Sequence, residues 1–180
     1  LSLHDALPIS DPRLTLLTLW LNSLPAPALI LSSLRPASSD ASFRRYFRVD
    51  AADGGSFIVM DAPPPQENVQ PFIDVANLFA ATSVTVPTIL AQDVAQGFLL
   101  LADLGGTTYL SVLNNDTAHK LYLDAIDALV LLQSQSKPGV LPDYDRALLH
   151  RELMLFPDWY LSKHLGATLT DTQTAELNKV

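Results

Sequence analysis

At 180 residues the chain is long enough for one domain or one and a half, and an apolar fraction of 48% against a charged fraction of 17% excludes an intrinsically disordered protein. A formal net charge of −8 argues against a general nucleic-acid binder, because phosphate backbones reward Lys and Arg, yet it leaves room for a local nucleotide site. Cysteine is absent, which rules out disulfides and thiolate metal sites and fits a reducing cytoplasm.

Leu1–Ser10 has no cationic start and no Met, and it reads as a non-native leader rather than a signal peptide. Asp11-Pro12 then opens a helix over Arg13–Leu24, capped by the Asp, begun by the Pro and ended by Pro25 and Pro27. The run Leu14–Leu24 is the most apolar in the chain, but it carries Thr and Asn and falls short of the about 18–20 residues that span a bilayer, so no membrane partner is expected. Leu29–Leu34 and Phe43–Val49 read as strands, the second alternating apolar residues with Arg. The turn Ala52-Asp53-Gly54-Gly55 leads to a third strand at Phe57–Met60. Ala62-Pro63-Pro64-Pro65 breaks the chain, and Gln66–Thr82 shows helical periodicity through Phe72, Val75, Ala76 and Phe79. Thr88–Gln92 and Gly97–Leu101 complete an antiparallel set, Gly105-Gly106 ends it, and the remainder is helical over Thr108–Leu113, Thr117–Gln135 and Tyr144–Leu165. The predicted fold class is therefore α+β. A protein-kinase-like N-lobe, a five-stranded antiparallel sheet plus helix, spans residues 11–104, and the first helices of an incomplete α-helical C-lobe span 105–180.

The segment Ser38–Arg48 joins the first two strands. It reads either as a polar hairpin with Arg on its solvent face or as a tight turn of small residues that lets backbone N–H groups approach phosphates. Phe98–Leu101 reads as a buried strand, which is compatible with lining an apolar base pocket. His150-Arg151-Glu152 invites comparison with a kinase catalytic loop. The comparison fails, because the required Asn position is Pro157 and the stretch reads as an amphipathic helix through Leu149, Leu153 and Phe156. His119 and His164 read as surface residues on helices, with no metal-ligand spacing, and no Walker A loop or Gly-x-Ser-x-Gly motif is present.

Three separated motifs, Ala41-Ser42-Phe43-Arg44-Arg45-Tyr46-Phe47-Arg48-Val49, Phe57–Pro64 and Gly97–Gly105, resemble the aminoglycoside-phosphotransferase family, as does Tyr144–Tyr160. The resemblance runs from about Pro12 to the end and is closest to the anomeric kinases of N-acetylmuramate and N-acetylglucosamine. It implies ATP and Mg²⁺ as cofactors, a sugar as acceptor, a role in cell-wall recycling and a cytoplasmic location. It further implies that Ser42, Phe43 and Arg44 sit over the ATP phosphates and that Leu101–Asp103 form the hinge at the adenine edge. Glu152 and Trp159 are implied near the acceptor, one accepting hydroxyl hydrogen bonds and the other stacking on the ring; the alternative is that Phe156 and Trp159 are core. One position departs from the pattern. Where kinases place a Lys or Arg on the third strand, this chain has Met60, so Arg44 or Arg45 must supply the cation or nucleotide binding is weak. Asp74 and Glu67 are candidate partners for such a cation, or simply a solvated acidic face.

Such kinases need an Asp to take the hydroxyl proton and an Asn and Asp to hold Mg²⁺, and these are expected beyond Val180, in a missing C-terminal lobe. The helix at Thr117–Gln135, against which that lobe would pack, is expected to expose apolar surface. Two other readings stay open: a nucleotide-binding pseudokinase or regulatory module without catalysis, and a kinase for another small alcohol such as choline, homoserine or an aminoglycoside.

Overall fold

The computed structural model describes residues 11–39 and 42–177. The expected leader Leu1–Ser10, and Asp40 and Ala41 of the expected phosphate turn, lie outside the described residues. Two separately packed units divide at Gln135/Ser136.

In the first unit, helix α1 (Pro12–Ser23) starts where Asp11 caps it, its carboxylate accepting the Leu14 N–H at 3.0 Å. Pro12 occupies the first turn, where a missing N–H costs nothing. Leu17 and Leu21 are buried one turn apart, with Leu14, Trp20 and Leu24 packed beside them. Each such Leu contributes about 1.5–3 kcal/mol relative to leaving it exposed.

The strands β1 (Leu29–Ser39), β2 (Arg45–Ala51), β3 (Ser56–Asp61), β4 (Ile89–Asp93) and β5 (Phe98–Ala102) form one five-stranded sheet, entirely antiparallel, in the order β1-β2-β3-β5-β4. Helix α2 (Gln70–Ala80) connects β3 to β4. Side-chain alternation divides the core between the two faces of the sheet. Phe47, Val49, Val59, Phe98 and Leu100 pack with α1, while Met60, Leu99 and Leu101 pack with Val69 and Ile73 at α2. Because β5 is covered on both sides, its sequence is a continuous apolar run rather than an alternating one.

The exit of β3 is tied to the β4–β5 turn by a close backbone approach. The Ala62 N–H donates to Gly97 O at 2.9 Å, and Gly97 has φ +75°. A Cβ on Gly97 would lie 1.9 Å from Ala62 O, so only glycine fits. Helices α3 (Tyr109–Val112) and α4 (Ala118–Gln135) follow. No residue of α4 is buried; Tyr122, Leu123, Ile126, Leu129 and Val130 are exposed, as expected of Thr117–Gln135. The first unit up to β5 is thus the α+β, kinase-like N-lobe that the element order predicts.

The second unit contains α5 (Arg146–Leu155), capped by Asp145 through the Leu148 N–H at 2.8 Å, then a π-helix (Phe156–His164), then α6 (Asp171–Leu177). The expected single helix over Tyr144–Leu165 is corrected here. Pro157 has no N–H and its ring crowds the carbonyl four residues back, so the α-helical ladder cannot continue through it. The chain widens, and the Leu165 N–H reaches Tyr160 O, five residues back, at 3.0 Å.

Candidate functional site

On the α2 side of the sheet lies a cavity of about 440 Å³, walled by Tyr46, Ile58, Phe72 and the segment Leu101–Gly106, with Ser38 and Thr108 at its edges. A second cavity of about 370 Å³ is lined by Pro36, Ser42, Phe43, Arg44, Arg45 and Phe47, again with Ser38 and Tyr46. The two share the Ser38 and Tyr46 walls. The turn residues expected over the phosphates and the hinge residues expected at the base therefore line adjoining spaces in one unit. The first is largely apolar with a few placed polar groups, the composition of a base pocket; the second adds Ser42 and the arginines to an apolar wall and so carries cationic side chains.

Their acidic partners sort the two adjacent arginines, both of which line the second cavity. Arg45 shares a face with Phe47 and Val49, and its guanidinium donates to Asp61 at 2.6 and 3.0 Å and also to Asp11. Asp61 is fully buried and also receives Arg13, which sits over the Phe98 ring and donates to Gln96 O at 2.8 Å. This cluster holds α1 to the sheet, on the face opposite Met60. Arg44 stands at the second cavity. Its Nε donates to Glu67 Oε2 at 3.0 Å, while Glu67 Oε1 accepts the Phe43 N–H at 3.1 Å. Partial burial disfavours the charge of Arg44, but its bonds to Glu67 and Tyr46 prevail and leave it more basic than a free guanidinium. Ser42 Oγ accepts the Arg44 N–H at 3.2 Å, closing the turn locally.

Met60 is fully buried, in register with Tyr46 on β2 and Leu99 on β5. No cation can be presented from that position. Of the two candidate acids, Asp74 is exposed and accepts from Gln70 at 2.8 Å, a solvated role. Glu67 is not solvated, its side chain being only 13% exposed in the Arg44 pair.

At the hinge, Leu101 is buried and Asp103 turns back to the sheet. Asp103 accepts from Arg48 Nε at 2.6 Å, Arg48 Nη2 at 3.1 Å, Ser56 Oγ at 2.7 Å and the Gly105 N–H at 2.9 Å. The Arg48 hydrogen bonds, reinforced by Ser56 and the Gly105 amide, hold its carboxyl well below the usual carboxylate range. Asp103 thus secures the β5 exit to β2 and β3. Arg48, Ser56, Tyr46 and Ser38 were not singled out from the sequence; alternation on β2 is the signal that puts Tyr46 and Arg48 on the cavity face.

In the second unit, Glu152 lies on α5 beside Arg151, with 3.7 Å between charges, and Trp159 is 65% exposed on the π-helix. Phe156 is half exposed as well, so neither aromatic is core. Phe156, Tyr160 and His164 form an aromatic ladder with centroid spacings of 5.6 and 5.5 Å. Among the described residues no group of three or more His, Asp or Glu side chains is arranged to hold a metal ion, and no helix is long and apolar enough to cross a membrane.

A sequence model of the phosphotransferase enzyme family matches residues 33–179. An N-acetylmuramate/N-acetylglucosamine kinase of Pseudomonas putida is 51% identical over 97% of this chain and 53% of its own length. The kinase of the same name from Pseudomonas aeruginosa is 50% identical over 94% and 52%. The Neisseria meningitidis kinase of that name is 48% identical over 76% and 42%. The chain spans about half the length of the curated relatives it matches.

Proposed function

The chain belongs to the phosphotransferase enzyme family, and on that premise we propose that it is the nucleotide-holding portion of an ATP-dependent kinase for a small sugar. The observation that carries this reading is the pair of cavities sharing Ser38 and Tyr46, one bounded by Leu101–Gly106 and the other by Ser42–Arg44. Adenine is assigned to the first, against the hinge backbone and over the paired Ile58 and Leu101. The triphosphate lies toward the second, where Arg44 is the available cation. Arg45 lines the same cavity, but its charge is engaged by Asp61 and Asp11.

The acceptor in the whole protein is assigned as an amino sugar, N-acetylmuramate or N-acetylglucosamine, phosphorylated at its anomeric hydroxyl. The amino-sugar part of that assignment is supported by the names of the relatives; with it we propose the anomeric position, a role in cell-wall recycling and a cytoplasmic location. Glu152 and Trp159 are assigned to this acceptor, the carboxylate for hydroxyl hydrogen bonds and the indole for the ring face. Mg²⁺, when bound, would offset charge on the phosphates. None of the described residues is assigned to it or to taking the hydroxyl proton, and we place those groups in the part of the relatives' length that the chain does not span.

The chain by itself then binds adenine nucleotide without transferring phosphate. Binding of a non-hydrolysable ATP analogue, followed by amide chemical shifts, tests this. Perturbations at Ser42–Arg44 and Leu101–Gly106 are expected. Perturbation elsewhere, or phosphorylation of N-acetylmuramate by the chain alone, would overturn it.

A further inference from the structure

We propose that Glu67 is a positioning residue for the nucleotide phosphates, one carboxylate fixing both the Phe43 N–H and the Arg44 guanidinium at the mouth of the second cavity. The inference rests on the nucleotide reading of the adjoining cavities. It answers a specific problem: the third strand offers the buried thioether of Met60 where a cation is needed, Arg45 is engaged by Asp61 and Asp11, and Arg44, which stands just before β2, serves only if its side chain is oriented.

Glu67 is suited to hold it because Glu67 is itself held. Pro63, Pro64 and Pro65 restrict the backbone just before it, the Glu67 N–H donates to Pro63 O at 3.0 Å, and Ala62 is fixed by its bond to Gly97 O. Val69, two residues on, is buried under the sheet. From this stiff segment the carboxylate reaches 24 residues back in sequence to the Phe43 amide and 23 back to Arg44. Its two oxygens take two different donors, so the turn and the side chain are oriented together. Glu67 bonds only Nε of Arg44, and the Nη edge, which grips phosphate as a fork, is not used by it. With Glu67 13% and Arg44 26% exposed, the pair is sheltered enough for charge-assisted bonds to matter, unlike a fully solvated ion pair.

The test compares ATP with adenosine, which shares the base and ribose but lacks the phosphates, in titrations of the chain with Mg²⁺ present. Glu67→Gln is expected to weaken ATP by about tenfold, the value of one charge-assisted hydrogen bond, and to leave adenosine unchanged. Combined with Arg44→Gln it is expected to add less than its own single loss, because only the hold on the Phe43 N–H is left to lose. Equal losses for ATP and adenosine would make Glu67 merely structural and overturn the proposal. So would additive losses, or tighter ATP binding, which would mark the carboxylate as a competitor of phosphate. Should Glu67→Gln fail to fold by circular dichroism, Glu67→Asp is read by the same ATP-to-adenosine ratio, because it keeps the charge but withdraws the carboxylate by one methylene. If the unaltered chain binds neither ligand, the nucleotide reading itself falls, an outcome distinct from failure of the Glu67 variant alone.

Discussion

Ser38 and Tyr46 are register partners across β1 and β2, and both line each of the two cavities. They mark the passage between the hinge and the turn. Ser38 is exposed, so a larger side chain there can be accommodated without disturbing the core. Ser38→Phe is expected to narrow the passage and weaken ATP binding by about tenfold or more, while leaving stability within about 0.5 kcal/mol, as for other surface changes. Nucleotide titration and urea unfolding of the same sample check both halves.

Gly97→Ala should be among the most damaging single changes in the first unit. The added methyl would meet Ala62 O at 1.9 Å on a backbone already at φ +75°. Neither strand β5 nor the proline segment can retreat easily. A loss of about 2–4 kcal/mol is expected, read as a lower urea midpoint; a near-neutral result would mean the Ala62–Gly97 approach is looser than described.

The hinge should respond to acid through Asp103. Its carboxyl is held below its unfolded value by Arg48, Ser56 and the Gly105 amide. Its stabilising contribution is therefore complete above the unfolded value of about 3.9 and is lost as pH falls below that toward the folded value. Comparing wild type with Asp103→Asn by urea unfolding at several pH values isolates this group from the other carboxylates. The stability gap is expected to be constant above about pH 5 and to shrink below about pH 4. A gap that widens on acidification would contradict the assignment.

Removing the acid between Arg13 and Arg45 should cost more than any surface ion pair. Asp61 is fully buried, and Asp61→Ala leaves two guanidinium groups without their shared partner. Both arginines are partly exposed and can turn toward water, which favours a loss near about 3 kcal/mol, the low end for a broken buried pair. Thermal unfolding measures it, and a neutral outcome would show that the cluster does not anchor α1.

Local chemistry made much of the fold legible. The Asp11-Pro12 cap, the Gly54-Gly55 turn and the alternation on β2 each point to the element that forms, because each acts over a few residues. What depended on distance in sequence was not legible. Glu67 reads either as a partner for a cation or as a solvated acid until the fold brings it to Arg44, and Asp61 is only one residue of the motif Phe57–Pro64 until α1, 48 residues earlier, delivers Arg13. Arg44 and Arg45 are adjacent and line the same cavity, and what separates them is their partners, Glu67 for one and Asp61 with Asp11 for the other, which only the fold supplies. The single helix expected over Tyr144–Leu165 overlooks Pro157, and apolar spacing is blind to whether a helix resumes with four- or five-residue bonds.

The knot among Arg13, Asp61 and Arg45 bears on how short the protein can be cut. A version beginning after Arg13 would retain the whole sheet yet strand a carboxylate in its interior with one arginine instead of two, and would uncover the ring of Phe98. Residues from Asp11 onward are therefore the minimum for handling the nucleotide lobe in isolation, and the first helix belongs to its foundations.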